Sequence, residues 1–437
     1  MKKAVMPYVL KVISSDLLLS TKRQLHMLRR KILYQEAVLE IFIKADDPYS
    51  YLLIQALTSI ESRFSIKLKF YVFNDIDLQM YPRLEMWQQY SNYDAYHLAK
   101  LYGFQFPCRS KLPKLNKDAI ITLACALVAI EQEDEFLRKA NRILTEFWFN
   151  SIPPTPAIYN KERSLAKLRI NQALLVNKGH YLGGVIYFEG EWYWGVDRLD
   201  HVEQRLIEAG FAHRKNELVL FNLTYKKFCQ HPINGGAKSR DNKPLVLYWS
   251  ARSPYSYIGL ERAVKLAEHY QIPLEIKPVL PMMMRNMYVP AIKKMYIFLD
   301  TKREANKLGI DYGFVADPLG AAVERCYALI EYARSENKLE AFLLSFARAV
   351  NAEGIRAETN SGLEKILTRC GLDWNVAKEK LTEKVWKIEV QNNLDEMFKL
   401  GCWGVPTIRY GDSHFWGQDR FILLENVIQQ DLGLGSF

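Results

Sequence analysis

Two short patterns occur twice in this 437-residue chain, in the same order, and they constrain its fold more than any other feature. Asp47-Pro48-Tyr49-Ser50-Tyr51 returns 206 residues later as Ser253-Pro254-Tyr255-Ser256-Tyr257. Trp194-Gly195-Val196-Asp197-Arg198 returns 222 residues later as Trp416-Gly417-Gln418-Asp419-Arg420. Two blocks in one order, separated by a stretch of variable length, mark an internal duplication. The two offsets place 16 additional residues in the second copy between its blocks.

Each block sits in a recognisable frame. From Gly401 to Arg420 the chain reads as an approach ending in Val405-Pro406, a strand over 407–410, a turn at Gly411-Asp412, a strand over 413–416 and a helix opening at Gly417. A Pro directly before a strand is either a strand-edge residue or a cis turn. Residues 185–206 read as an earlier version of this hairpin and helix. Upstream, Val38–Ile43 is β-rich, Asp47-Pro48 is a helix start with Asp47 as N-cap, and Ile66–Phe73 is the next strand. Strand-helix-strand of this length implies parallel strands. The same series follows from Leu245–Trp249 through Ser253-Pro254 to Leu274–Val279. Mainly helical sequence fills about Met86–Leu175, including 120–149, and about Val289–Leu400. The expected organisation is a basic helical segment over 1–35, a domain over 36–225 with a helical insert at about 86–178, an aperiodic Gly/Asn/Lys-rich linker over 226–243, and a domain over 244–437 with an insert at about 285–400.

Composition excludes several classes. A chain of this length suits two domains of about 200 residues. No apolar run approaches the roughly 20 residues of a spanning helix, and the N-terminus lacks the pattern of a secretory signal. The six cysteines (108, 125, 229, 326, 370 and 402) show no CxxC and no metal-ligand spacing, so neither a disulfide framework nor a metal is expected, and a cytoplasmic location is. The net charge is +10, but residues 1–31 carry eight Lys/Arg and one acid, seven charges of the ten. The rest is only slightly basic, which argues against a nucleic-acid partner. The basic segment could meet an acidic partner or a membrane surface. The preferred reading is a solvated helix face packed on the core through Leu17, Leu18, Leu25 and Leu28.

A βαβ unit, a helical insert, a Pro-preceded strand, a hairpin and a helix follow the thioredoxin-like plan. With the SPYSY turn, GVPT and FWGQDR, the chain resembles the DsbA superfamily, and within it the 2-hydroxychromene-2-carboxylate isomerase and kappa-class glutathione transferase branch. Pro290-Ala291-Ile292-Lys293, Tyr296 and Asp300 are similar to the lysine-bearing segment of that branch. The resemblance covers the C-terminal half well and the N-terminal half in outline. It implies an α/β fold of two thioredoxin-like (DsbA-type) domains in tandem, each with an inserted helical subdomain. It also implies glutathione as cofactor and a small conjugated molecule as substrate.

The residues make chemical sense of this. Ser253, as N-cap, sets a hydroxyl beside backbone N–H groups unused within the helix, a place that favours an anion. A thiol with an ordinary pKa near 8.5 must be partly deprotonated to attack at neutral pH, so Ser253 reads as the catalytic residue that lowers it. For the isomerase, the thiolate would add to a conjugated double bond, permit rotation and leave. As the resemblance implies, Val405 before Pro406 would hold the cysteinyl part along its peptide edge. Gln418 and Asp419 would receive the γ-glutamyl end, and Lys293 a carboxylate. Each also has a plain structural role: Ser253 as cap, Asp419-Arg420 as local ion pair, Lys293 as a surface lysine, Cys402 as a small buried hydrophobe, and Trp194 and Trp416 packed under their hairpins.

The N-terminal half departs at the matched positions, with Asp47 for Ser253, Gly184 for Pro406, Val196 for Gln418 and Trp87 for Lys293. Asp47 caps a helix equally well but repels a thiolate, at a cost of about 4 kcal/mol for two charges ~4 Å apart. That half is therefore expected to be a degenerate copy forming an intramolecular pseudo-dimer. A non-catalytic thioredoxin-like peptide- or ligand-binding protein is the alternative. A thiol-disulfide oxidoreductase is disfavoured by the missing CxxC.

Overall fold

The computed structural model describes residues 2–113, 116–150, 160–231 and 243–434. The expected linker over 226–243 falls, at 232–242, outside them. The chain opens with α1 (Lys2–Ile13) and α2 (Asp16–Ile32) and then builds two four-stranded mixed sheets. The first contains β1 (Val38–Lys44), β2 (Lys67–Phe73), β3 (Val185–Phe188) and β4 (Glu191–Trp194) in the order β2-β1-β3-β4. Helix α3 (Pro48–Arg63) joins β1 to β2, and α4 (Leu84–Tyr102), α5 (Lys117–Ala129), α6 (Phe136–Asn150) and α7 (Lys161–Asn177) lie between β2 and β3. Helix α8 (Leu199–Glu208) and the short α9 (Leu223–Lys226) follow.

The second sheet contains β5 (Leu245–Trp249), β6 (Leu274–Pro278), β7 (Thr407–Tyr410) and β8 (Ser413–Trp416) in the order β6-β5-β7-β8. Helix α10 (Pro254–Tyr270) joins β5 to β6. Between β6 and β7 come α11 (Ala291–Leu308), α12 (Ala321–Ala328), α13 (Ile330–Ser335), α14 (Leu339–Ala352), α15 (Asn360–Arg369), α16 (Trp374–Lys380) and α17 (Trp386–Lys399), and α18 (Phe421–Asp431) ends the fold.

Both sheets pair their first two strands in parallel and the rest antiparallel, and the registers coincide. Leu39 faces Leu68 and Leu245 faces Leu274; Phe42 faces Val185 and Tyr248 faces Thr407. Gly195 N–H donates to Gly184 O, and Gly417 N–H to Pro406 O, at 2.8 Å in each half. Each pair is the other moved by the two sequence offsets. The correspondence extends to side-chain bonds. Tyr49 Oη donates to Asp94 at 2.8 Å, and Tyr255 Oη to Asp300 at 2.7 Å. Glu203 and Glu425 are both fully buried, Glu203 accepting the Leu220 and Phe221 N–H groups and Glu425 that of Cys229, and burial raises both carboxyls above their ordinary value.

The central strands explain their own composition. Leu39, Ile41 and Ile43 belong to the large core under α3, while Phe42 points to a second cluster with Tyr71 and Phe73. A strand covered on both faces reads as a nearly continuous apolar run, and β5 (LVLYW) is buried throughout.

The chain divides into two compact units that do not follow its linear order. One comprises 22–223 with 290–296, the other 1–21, 224–289 and 297–437. The detour of 290–296 has a packing cause, since Ile292 joins the cluster of Phe42, Tyr81 and Leu182 and Tyr296 meets His180 edge-on. Residues 1–21 join the other unit through Tyr8 and Lys11, both against the Phe314 ring. The N-terminal expectation needs correction: Leu17, Leu25 and Leu28 are 79, 60 and 49 % exposed, so α2 does not pack through them. Its contacts are polar instead, from Arg23 to Glu191 and from Arg30 to Glu189. The helical stretch expected over 120–149 is broken between α5 and α6.

Helix α10 approaches the loop before β7 so closely that a Cβ on Gly259 would lie 2.9 Å from Pro406 Cβ and Cγ. The Pro406 ring is a stiff neighbour, so Gly259→Ala is expected to cost about 1–3 kcal/mol, read as a lowered thermal midpoint. An unchanged midpoint would contradict this packing.

Candidate active site at the start of helix α10

The site begins with a capping problem. The first N–H groups of α10 have no partner within the helix. Ser253, in extended conformation, supplies one through its Oγ, which accepts the Ser256 N–H at 3.2 Å, while Pro254 occupies the first turn. The same hydroxyl donates to Val405 O at 3.4 Å. The Val405-Pro406 peptide is cis. Ser253 and Val405 are partly exposed and Pro406 is buried, so hydroxyl, helix terminus and peptide edge meet at the surface. Below, Tyr327 Oη accepts the Ala251 N–H at 3.2 Å and donates to Val279 O at 2.7 Å, fixing the turn.

The turn after β8 lies beside this point. Asp419 is partly exposed, whereas Gln418 is 1 % exposed and engaged by its neighbours. Arg262 Nη1 donates to Gln418 O at 2.7 Å and to its Oε1 at 3.1 Å; Gln418 Nε2 donates to Glu304 at 3.1 Å and to Asp419 at 2.5 Å. Burial holds the Arg262 guanidinium below its ordinary value, with Asp419 and Glu304 opposing. Arg262 and Glu304 are the residues that motif reading missed. Arg262 on α10 and Glu304 on α11 stand outside the residues that carry the patterns of those helices, and only the fold brings them to Gln418. Tyr255 and Asp300 did carry a signal, since Tyr90-x3-Asp94 precedes Tyr296-x3-Asp300 by the same 206 residues as the turns.

The structure brings Ser253, Val405, Pro406, Gln418 and Asp419 into one unit but not Lys293. That lysine belongs to the unit of residues 22–223, where its Nζ donates to Met80 O at 2.8 Å and lies 5.6 Å from the Tyr181 ring centre. Burial lowers it to about 8. Cys402 is fully buried.

The matching place in the N-terminal half is filled. A Cβ on Gly183 would meet Asp47 Oδ2 at 3.1 Å, and one on Gly184 would meet Ser50 N at 2.9 Å, so the chain closes on the helix start. Trp87, at the position of Lys293, packs against Tyr49 and Trp194 with ring centres 5.9 and 6.0 Å away.

Helix, cis-proline loop and hairpin turn together describe a thioredoxin-like site without a cysteine pair. Residues 245–429 match the DSBA-like thioredoxin domain, and the C-terminal half of the chain therefore carries a domain of that family. The chain is similar to two 2-hydroxychromene-2-carboxylate isomerases. That of Sphingobium xenophagum is 26 % identical over 196 residues, covering 43 % of this chain and 98 % of that protein. That of Pseudomonas putida is 24 % identical over 189 residues, covering 41 and 92 %. Among solved structures, a 2-hydroxychromene-2-carboxylate isomerase matches with a TM-score of 0.38 and 24 % identity over 44 % of this chain and all of its own. A probable DsbA oxidoreductase from Streptomyces coelicolor matches with a TM-score of 0.36 and 16 % identity over 44 and 90 %.

One difference between the halves yields a stability test. Asp47 Oδ2 accepts the Ser50 N–H at 2.8 Å and the Ser50 hydroxyl at 2.7 Å, yet burial outweighs these bonds and raises its carboxyl to about 6. The folded chain thus holds a proton that the unfolded chain releases between about pH 4 and pH 6, so stability falls as pH rises through that window and the penalty is complete above it. Asp47→Asn keeps a capping oxygen. Because the residue is only partly buried, its gain should be about 1 kcal/mol near pH 7 and vanish near pH 4, read by thermal melts at both values. Equal stabilisation at both would contradict the assignment.

Proposed function

We propose that the chain arose by tandem duplication of a thioredoxin-like unit, each copy with inserted helices, and that its C-terminal copy is a glutathione-dependent isomerase or transferase acting on a small conjugated electrophile. Supporting the duplication are the shared strand order, the coincident registers and the paired Tyr49–Asp94 and Tyr255–Asp300 bonds. The observation that carries the catalytic reading is the Ser253 hydroxyl, at the start of α10 and within reach of the Val405 carbonyl. The likeness to 2-hydroxychromene-2-carboxylate isomerases over nearly their full length sets the reaction class proposed.

Glutathione, when bound, supplies a thiol that becomes the nucleophile. Ser253 can turn its hydroxyl from Val405 O towards a thiolate, where the positive end of the α10 dipole adds partial charge. That hydrogen bond to an anion is worth about 1.5–3 kcal/mol, a lowering of the thiol pKa by one to two. Val405 offers its peptide edge to the cysteinyl backbone, with Pro406 shaping the loop. Asp419, partly exposed, would take the α-amino group of the γ-glutamyl end. Gln418 orients Asp419 from beneath rather than meeting the ligand, because its amide is buried and bonded on both sides. The thiol end and the ammonium thus find partners here, and Lys293 is left out of the proposed site.

The same two departures, a buried Gln418 and a Lys293 engaged elsewhere, favour a second reading as a non-catalytic peptide- or ligand-binding protein. Calorimetric titration of the full chain with glutathione separates them. Binding below millimolar is expected, weakened at least tenfold by Ser253→Ala. Ser253→Asp, which keeps a capping oxygen as Asp47 does, should leave the circular dichroism spectrum of the folded chain unchanged yet abolish measurable binding. Absence of binding below millimolar in the unsubstituted protein would sink the glutathione reading.

A further inference from the structure

We infer that helix α2 (Asp16–Ile32) docks the protein peripherally on a lipid surface bearing anionic headgroups. The helix carries two opposed faces. At about 100° per residue, Leu25, Leu28 and Ile32 fall within an arc of about 60°, while Arg23, His26 and Arg30 lie on the far side. The far side is occupied. Arg23 grips Glu191 with two bonds of 2.7 and 2.9 Å, Arg30 pairs with Glu189, and a Cβ on Gly190 would lie 3.1 Å from His26 Nε2. Arginines that would otherwise face solvent are thus spent on the β3–β4 hairpin.

The apolar stripe faces outward. Leu25, Leu28 and Ile32 are 60, 49 and 70 % exposed, and Leu33 and Tyr34 beyond the helix end are 50 and 95 % exposed. A solvated helix ordinarily turns such residues inward, and a contiguous patch of them marks an interaction surface. The residues beside the stripe identify its occupant. Lys22 and Arg29 border it on one side and Lys31 on the other, all exposed. The helix has a single acid, Asp16, in its first turn and bonded to Asn306. Leucines flanked by cations, without acids among them, match the boundary between acyl chains and negative headgroups. A second copy laid on the same stripe would bring these cations towards their own equivalents. A spanning role is excluded for α2 by its far face, which is held to the hairpin through Arg23 and Arg30.

Co-sedimentation of the full chain with vesicles tests this. Binding is expected to vesicles of phosphatidylcholine with phosphatidylserine and not to phosphatidylcholine alone, and to be released by a high-salt wash. Lys22→Gln/Arg29→Gln/Lys31→Gln should lower the partition coefficient about a hundredfold, at roughly fivefold per cation. Leu25→Ser/Leu28→Ser should lower it by a similar factor while leaving the circular dichroism spectrum and melting midpoint unchanged, since these side chains are exposed. No association with anionic vesicles would overturn the inference, as would association that survives both sets of substitutions. Retention through the high-salt wash would overturn it in favour of insertion. A dimer seen by light scattering and broken by Leu25→Ser/Leu28→Ser would overturn it in favour of a second copy.

Discussion

The proposed chemistry depends on one constraint, the backbone N–H groups at the start of α10 that have no partner inside the helix. A helix terminus must find partners for them, and here a single hydroxyl serves while also reaching the Val405 carbonyl. The choice of capping residue therefore settles two matters together. Serine and aspartate both end the extended strand and start the helix, so either satisfies folding. Only the neutral cap leaves the terminus able to accept an anion. The two halves of this chain make that choice differently, and the surrounding residues follow suit. Beside Asp47 the chain closes with Gly183 and Gly184 and packs Trp87 over the place; beside Ser253 the surface stays partly open.

Much of the architecture was legible because it was written twice. Strand edges at Leu245, Thr407 and Ser413, and the caps at Asp47 and Ser253, follow from short local signals: β-branched and aromatic runs, and an acid or hydroxyl before Pro. What was not legible depends on distant packing. Gln418 looked like a ligand donor at a helix start, but Arg262 and Glu304, far away in sequence, claim its amide. Lys293 sits on the first turn of α11, and nothing local reveals that this turn packs with Met80 and Tyr181. The leucines of α2 have the spacing of a core-facing stripe. Periodicity gives a face without its direction, and the direction was set by Glu189 and Glu191 drawing the arginine face inward.

These outcomes bear on one another. The buried polar network of Arg262, Glu304 and Gln418 holds the turn that carries Asp419. The N-terminal half has the strand order and the Tyr–Asp bond of the C-terminal half, while Gly183 and Gly184 close over its helix start. Helix α2 uses the β3–β4 hairpin of that half as a platform, pairing with two glutamates at its turn. In this account the C-terminal half acts on a small molecule and the N-terminal half holds a basic, leucine-bearing helix outward.

The central claim is that the neutral cap at Ser253 stabilises a bound thiolate. The most direct measurement is the thiol pKa of glutathione bound to the full chain, followed by thiolate ultraviolet absorbance against pH. The account predicts a value at least about one below that of free glutathione, returning to the free value in Ser253→Ala. A bound thiol that titrates as it does free in solution, or one equally acidic with and without the Ser253 hydroxyl, would contradict it.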